Sequence, residues 1–307
     1  MTYEPPPHRL GFGITICLIA YLFFITASSL VGSFQGRFPT IQIIFIQNLV
    51  SLLCIFPFAA RNGWAALKTE LVTDHLIRDI FGVGSYYLYF LAIRSLNLVD
   101  ATTLNYTAPF FVPLIWRLWK KEKVGAHVWI AIVIGFAGVL SILRPGATLF
   151  QVGFAYGICA GLASGVAFCS LRVLNLKQEP MLRTLFYYFL FGMLVSFPFA
   201  AVVWEMPVER EWLQVIGIGV ATAIGQVLLT IAYRYGTASY LSPLGYSTVI
   251  YAGIIGWIFL DQPMKSHSWV GTALIVIGGI ATFVLKKKAH TVKEVLKTPL
   301  PHEKPPL

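Results

Sequence analysis

Charge is what this sequence has little of. Only 12% of its 307 residues are Asp, Glu, Lys or Arg, about half the share found in an ordinary soluble domain. That is too little to cover a water-facing surface. Cysteine is scarce too: Cys17, Cys54, Cys159 and Cys169 all fall inside apolar runs without metal-ligand spacing, so neither a disulfide framework nor a metal centre is implied. No Asp, Glu, Lys, Arg or His falls near the middle of an apolar run. A nucleophile–base pair or paired carboxylates at depth are therefore missing, which argues against a membrane-embedded enzyme. No ring of charge or filter loop marks a channel. No cofactor is expected.

What the chain has instead is apolar length. Hydrophobic residues make up 57% of it and the mean hydropathy is +0.73. They fall in runs of about 18–25, enough to cross a hydrocarbon core of roughly 30 Å. Ten runs are delimited by charge or turn residues, near 10–32, 40–60, 77–96, 99–119, 127–144, 149–172, 183–204, 212–233, 237–260 and 267–285. A backbone in lipid must satisfy its own hydrogen bonds, so each run predicts a helix; the runs are about twice as long as barrel strands and lack their alternation. The first run exceeds a signal-peptide core and has no small-residue cleavage site, and it reads as a span. The fold class is an all-α integral membrane protein of ten transmembrane helices.

With the N-terminus inside, eighteen Lys and Arg residues fall on the inner side of these spans and five on the outer. This positive-inside bias predicts a multi-pass protein of the cell inner membrane with both termini cytoplasmic. The net charge of +10 is thereby a topology signal and gives no reason to propose nucleic acid. The tail at 289–307 reads as disordered, basic and able to touch anionic lipid. All eight tryptophans lie near predicted span ends, as in an interfacial belt.

The phrase FPFAA occurs at Phe56–Ala60 and again at Phe197–Ala201. At an offset of 140, Arg94 meets Arg234, Tyr106 meets Tyr246, His127 meets His267 and Trp129 meets Trp269. Gly13, Ala20 and Ala27 likewise meet Gly153, Ala160 and Ala167. The chain reads as two five-helix units, 1–145 and 146–288. Five is odd, so the second unit enters the membrane from the opposite side. The units become inverted repeats, an architecture of secondary transporters with the substrate site near the midplane between the halves.

The stretch "AYRYGTASYLSPLGYSTVIYAGIIGWIFLDQP", running into "WVGTALIVIGG", resembles the second repeat of the ten-helix EamA-type branch of the drug/metabolite transporter superfamily. "LAIRSLNLVDATTLNYTAPFFVPLIW" followed by "KKEKVGAHVWIAIVIGFAGVLSIL" is the weaker counterpart in the first repeat. The resemblance covers residues 10–285. It departs from the family pattern at Asp261, where Glu is usual, and at Val249, where some members have proline. It implies a central cavity walled by spans 1, 3, 4, 6, 8 and 9, and a cargo drawn from amino acids, nucleotide-type metabolites, sugar phosphates or drugs.

The residues read on their own also gather polar groups in spans 3, 4, 8 and 9, while spans 5 and 10 are almost purely apolar. Tyr86 and Tyr89 share a face of span 3, Asn105 and Tyr106 sit in span 4, Gln226 in span 8 and Tyr246 in span 9. Tyr106 and Tyr246 are offset mates, as are Tyr86 and Gln226. Tyrosine supplies apolar area with an orienting hydroxyl, so these six are the candidate substrate-binding residues. Interhelical hydrogen bonding is the competing role, at about 0.6 kcal/mol per contact. A site without formal charge favours an amino acid or related zwitterion, including adenosyl or sulfonium compounds, over sugar phosphates. The missing intramembrane carboxylate points to a uniporter or exchanger, or to coupling through a residue near a cavity mouth such as Asp100. Export of drugs or lipid-like molecules is the alternative. The partners expected are a small-molecule metabolite and membrane lipids, in a monomer or homodimer. Gly153, Gly157, Gly161 and Gly165 form an i+4 ladder for close helix approach, and Pro109 and Pro113 predict a hinge in span 4.

Overall fold

The computed structural model describes residues 7–34, 36–61, 67–120, 152–235 and 242–262, with residue 63 and scattered positions within 133–141 and 266–277. The helices are α1 (Pro7–Ser33), α2 (Thr40–Ala60), α3 (Val72–Ser95), α4 (Leu98–Asn105), α5 (Ala108–Lys120), α6 (Val152–Leu176), α7 (Met181–Val202), α8 (Glu209–Tyr235) and α9 (Ser247–Leu260). No strand occurs among the described residues. Six of the helices are long and apolar enough to cross a membrane: α1, α2, α3, α6, α7 and α8. Most of spans 5 and 10, and the tail, with their expected roles, lie outside the described residues.

Several expectations change. Span 3 starts at Val72, not near 77. Asp74, His75, Arg78 and Asp79 lower the local hydropathy, yet His75, Arg78 and Asp79 are buried in α3, their polarity offset by one another, by Glu179 in the α6–α7 turn and by the Tyr188 ring of α7. The claim that ionisable groups keep to span ends therefore fails at Asp79, two turns into the helix. Span 4 is two helices. The chain leaves α4 at Tyr106, whose N–H still donates to Thr102 O at 2.9 Å, while Thr107 N–H turns to Leu104 O at 3.1 Å. The Thr107 hydroxyl donates to the same carbonyl at 2.6 Å. Pro109 has no N–H to give the Asn105 carbonyl, and a residue before proline avoids the α region. The break thus precedes the proline. In span 9 a 3₁₀ turn over Ser242–Tyr246 gives way to α9 at the offset position. Trp116, finally, is buried under the Arg172 guanidinium at 4.4 Å, facing protein where a belt residue would face lipid headgroups.

Both copies of FPFAA end a helix that tolerates proline inside it, Pro57 in α2 and Pro198 in α7. Phe56, Phe58, Phe197 and Phe199 are exposed while Ala59 and Ala200 are buried. The phenylalanines therefore present an apolar outer surface and the alanines admit the neighbouring helix.

The helices pack in pairs, α1 on α8, α3 on α6 and α2 on α7. Contacts of the first two pairs recur at the offset of 140. A Cβ on Gly13 would lie 3.0 Å from Tyr235 Cβ, and one on Gly153 2.7 Å from its mate's partner, Ser95 Cβ. Ala20 O lies 3.2 Å from the position of a Gly225 Cβ, and Ala160 O accepts from the hydroxyl of Ser85 at 2.9 Å. The glycine ladder of α6 lies along α4 and α5. Gly157 faces Leu104, Gly161 faces Thr107 and the carbonyls of Leu104 and Asn105, and Gly165 faces Phe111 and Ile115. The ladder is what lets a helix approach the interrupted backbone.

Candidate substrate site

The polar face of α3 meets α1, α4, α6 and α8 near the break in span 4. Tyr89 shares a hydrogen bond with Thr102 Oγ1 at 2.7 Å and interacts with the Ser28 hydroxyl of α1. Tyr86 bonds the Gln226 side chain on α8. Tyr106, at the break, pairs with Thr248 and meets the Tyr21 ring edge-on at 6.1 Å. Asn105 Oδ1 accepts from Ser164 Oγ at 3.2 Å, and Ser164 is 2.6 Å from Ser85 Oγ. Tyr86, Tyr89, Tyr106 and Gln226 thus belong to one hydroxyl-rich cluster, and Asn105 joins its edge through Ser164.

Tyr246 stands apart. It packs with Leu104, Phe110 and Phe154, and its hydroxyl is buried without a hydrogen-bond partner. The offset mates Tyr106 and Tyr246 therefore occupy different surroundings. What links the two regions is Gly245, where a Cβ would lie 3.1 Å from the Tyr106 ring and 3.3 Å from the Tyr21 hydroxyl. Tyr21, Ser28 and Ser164 were missed from sequence. Tyr21 and Ser28 lie seven apart on one face of α1, a spacing that could have found them.

Tyr89 is buried in this cluster, and Tyr86, Asn105, Tyr106 and Gln226 are half-buried. Beyond it, at the C-terminal ends of α1 and α3, a cleft of about 560 Å³ is lined by Val31, Ile93, Arg94, Asn97, Asp261 and Gln262. Ile93 is one helical turn from Tyr89, so the cleft stops one turn short of the tyrosines. Arg94 donates to Gly36 O at 2.8 Å, Phe38 O at 3.2 Å and Thr40 Oγ1 at 3.0 Å. It holds the α1–α2 turn, where Gly36 adopts φ +85°, a region other side chains rarely enter. Gln262 Oε1 accepts from Leu98 N–H at 2.9 Å, tying the end of α9 to the start of α4. Asn97 caps the same helix through Asp100 N–H at 2.8 Å, satisfying another free N–H.

At the opposite end of α3 lies a charged cluster. His75 Nε2 is 3.0 Å from Glu179 Oε1, which also accepts from Arg183 at 3.2 Å. Arg78 donates to Asp79 at 3.1 Å and stands 4.4 Å over the Tyr188 ring. Lys177 pairs with Asp74. Burial alone would raise the Glu179 carboxyl, but hydrogen bonds from His75 and Thr69 and the Arg183 charge outweigh it and hold it below its ordinary range.

The description "EamA-like transporter family" matches this chain twice, over residues 11–144 and 151–284. The chain belongs to that family. Among its EamA-like relatives is a pseudopaline exporter, CntI, of Pseudomonas aeruginosa strain UCBPP-PA14, 26% identical over 277 residues, 90% of this chain and 97% of the relative. A riboflavin transporter of Vibrio cholerae is 28% identical over 254 residues, covering 80% and 83%. An S-adenosylmethionine uptake transporter of Rickettsia bellii is 25% identical over 275 residues, covering 87% and 92%. A solved crystal structure shares the fold, with a TM-score of 0.65 over 91% of this chain and 99% of that one at 18% identity. Membership of the EamA-like family, with six apolar membrane-length helices, makes this a multi-pass membrane protein and a small-molecule transporter.

Proposed function

We propose that the protein is a secondary transporter that moves a small organic metabolite across an inner membrane by alternating access. Its moving parts are two inverted five-helix repeats, 1–145 and 146–288, and its termini are cytoplasmic. The observation that carries this reading is a pair of departures from regular α-helix, in spans 4 and 9. They fall at Tyr106 and Tyr246, 140 residues apart, and approach one another at Gly245, and irregular backbone at corresponding positions of two repeats points to a transporter's binding site. The recurrence of the α1–α8 contacts at α3–α6 supports the repeat relation. The twofold family match, itself displaced by 140 residues, agrees with it.

Tyr86, Tyr89, Tyr106, Gln226 and Asn105 surround the cargo, and Tyr246 enters when α9 moves relative to α4. The cluster offers ring faces and hydroxyls without formal charge. It suits a planar, hydrogen-bonding, neutral or zwitterionic solute, an amino acid derivative or an adenosyl or sulfonium compound. The test is thermal unfolding of the purified protein against a metabolite panel that includes S-adenosylmethionine and riboflavin. A ligand at a hundred times its dissociation constant adds about 2.7 kcal/mol to stability. Hits should then exchange by saturable counterflow in proteoliposomes, with Tyr86→Phe and Tyr106→Phe losing affinity. Flux that never saturates, or hits confined to lipid-like compounds, would refute this reading.

A further inference from the structure

The charged turn of α3 has no charged counterpart in the other half. His75, Arg78 and Asp79 have offset mates in α8, namely Val215, Ile218 and Gly219. Val215 and Ile218 are buried and apolar, and Gly219 lies directly against Val50. One half of the molecule therefore packs this level of the helix with no charge at all. The other half places a carboxylate that is 2% exposed two turns inside a membrane-length helix. Such a group is costly to bury and by default marks an ion pathway.

Its surroundings suit proton exchange. Asp79 has one cationic partner, Arg78, and that guanidinium is shared with the Tyr188 ring of α7. One turn before it on the same face is His75, also 2% exposed. His75 Nδ1 has no hydrogen-bond partner, while Nε2 meets Glu179. Arg183 on α7 and Lys177 at the α6–α7 turn complete the charged groups, with Asp74 at the start of α3. Two turns beyond Asp79 on the same face is Tyr86, bonded to Gln226. A stripe of titratable groups thus runs from the expected cytoplasmic end of α3 to the tyrosine cluster.

We propose that Asp79 is a proton-binding site, fed through His75, that couples cargo movement to proton movement. A proton from the α2–α3 side adds to a carboxylate oxygen of Asp79. Arg78 is thereby left to the Tyr188 ring alone, and the contact by which α3 meets α7 changes with it. Deprotonation on the other side of the conformational cycle restores the pair. The proposal rests on the alternating-access reading above, and its test separates the two.

Acid-minus-neutral infrared difference spectra of the full-length protein in detergent should show a protonated-carboxyl band that Asp79→Asn lacks. The charge-matched double variant Arg78→Gln/Asp79→Asn, which leaves no lone buried cation, should lack it as well and keeps the test valid if the single variant fails to fold. Spectra identical in all three proteins overturn the proposal. In proteoliposomes loaded with S-adenosylmethionine or riboflavin, Asp79→Asn should keep counterflow and lose tenfold or more of pH-gradient-driven accumulation, with Asp79→Glu restoring part of it. Wild-type accumulation indifferent to a protonophore overturns the coupling and leaves the transporter standing. Absence of counterflow with either probe counts against the cargo reading, and the infrared comparison then decides Asp79 alone.

Discussion

Gly161→Ala adds one methyl group where the interrupted helix is pressed closest to α6. Its Cβ would lie 2.5 Å from Thr107 Oγ1, 2.8 Å from Leu104 O and 3.2 Å from Asn105 O. Two of these are backbone carbonyls, and Thr107 is already bonded to Leu104 O, so neither side can turn away. Relief requires α6 to move off α4, opening the rest of the seam. Overpacking of this kind costs about 1–3 kcal/mol, and each kcal/mol lowers Tm by roughly 2–4 °C in a chain of 150–250 residues. Gly84→Ala is the matched control: it too lies inside a helix, but nothing is within 4 Å of its Cβ. There the substitution removes the entropic cost of glycine, about 0.5–1 kcal/mol, and Tm should hold or rise. Tryptophan-monitored unfolding in detergent reads both variants. Equal Tm values for the two would refute the claim that the ladder is a close-packed seam on the span 4 break.

Glu179→Gln should lower stability most at neutral pH. The folded-state pKa of Glu179 is depressed, so its contribution is complete above the unfolded value of about 4.3 and fades as pH falls through the folded value. Melting curves of variant and wild type should therefore converge in acid, and a gap that widens there contradicts the assignment. Tyr246→Phe removes a buried hydroxyl that has no partner and should raise stability by about 1 kcal/mol, measured by Tm. If it also weakens the shift produced by a bound metabolite, Tyr246 contacts cargo in another conformation. Gln262→Ala should cost about 1 kcal/mol by freeing the buried Leu98 N–H, and hydrogen exchange at that amide should quicken; unchanged exchange would show that Gln262 does not cap α4.

The features easiest to read from the sequence were those set by hydropathy over a whole turn or more. Membrane-length helices announce themselves because lipid permits little else, and α1, α2, α6 and α7 fall close to their expected limits. The offset matches of Gly13 and Ala20 led to contacts that recur in the structure, because the same backbone approach demands the same small residue. The start of α3 was illegible for the complementary reason. Asp74 and His75 read as loop, and Arg78 and Asp79 as the mouth of the span, until the partners Glu179, Lys177 and Tyr188, about a hundred residues away, are placed beside them. The break at Tyr106 was displaced from its signal, since proline acts on the residues before it. In the site, Tyr86 and Gln226 were paired correctly by the offset, whereas Tyr246 shows that symmetric positions need not have symmetric neighbours.

That last difference originates in the glycine ladder. Gly157, Gly161 and Gly165 have Cys17, Tyr21 and Ile25 as offset mates, so a flat ridge on one half answers a knobbed one on the other. Expressed as separate chains, the two halves should recognise one another in preference to themselves. A second repeat paired with its own copy would set glycine against the side of α9 that the Tyr21 ring now fills, leaving a void. A first repeat paired with its own copy would drive that ring into the seam Gly161 keeps open. The duplication has thus become a lock with two unlike faces, and assembly from fragments should give the mixed pair alone.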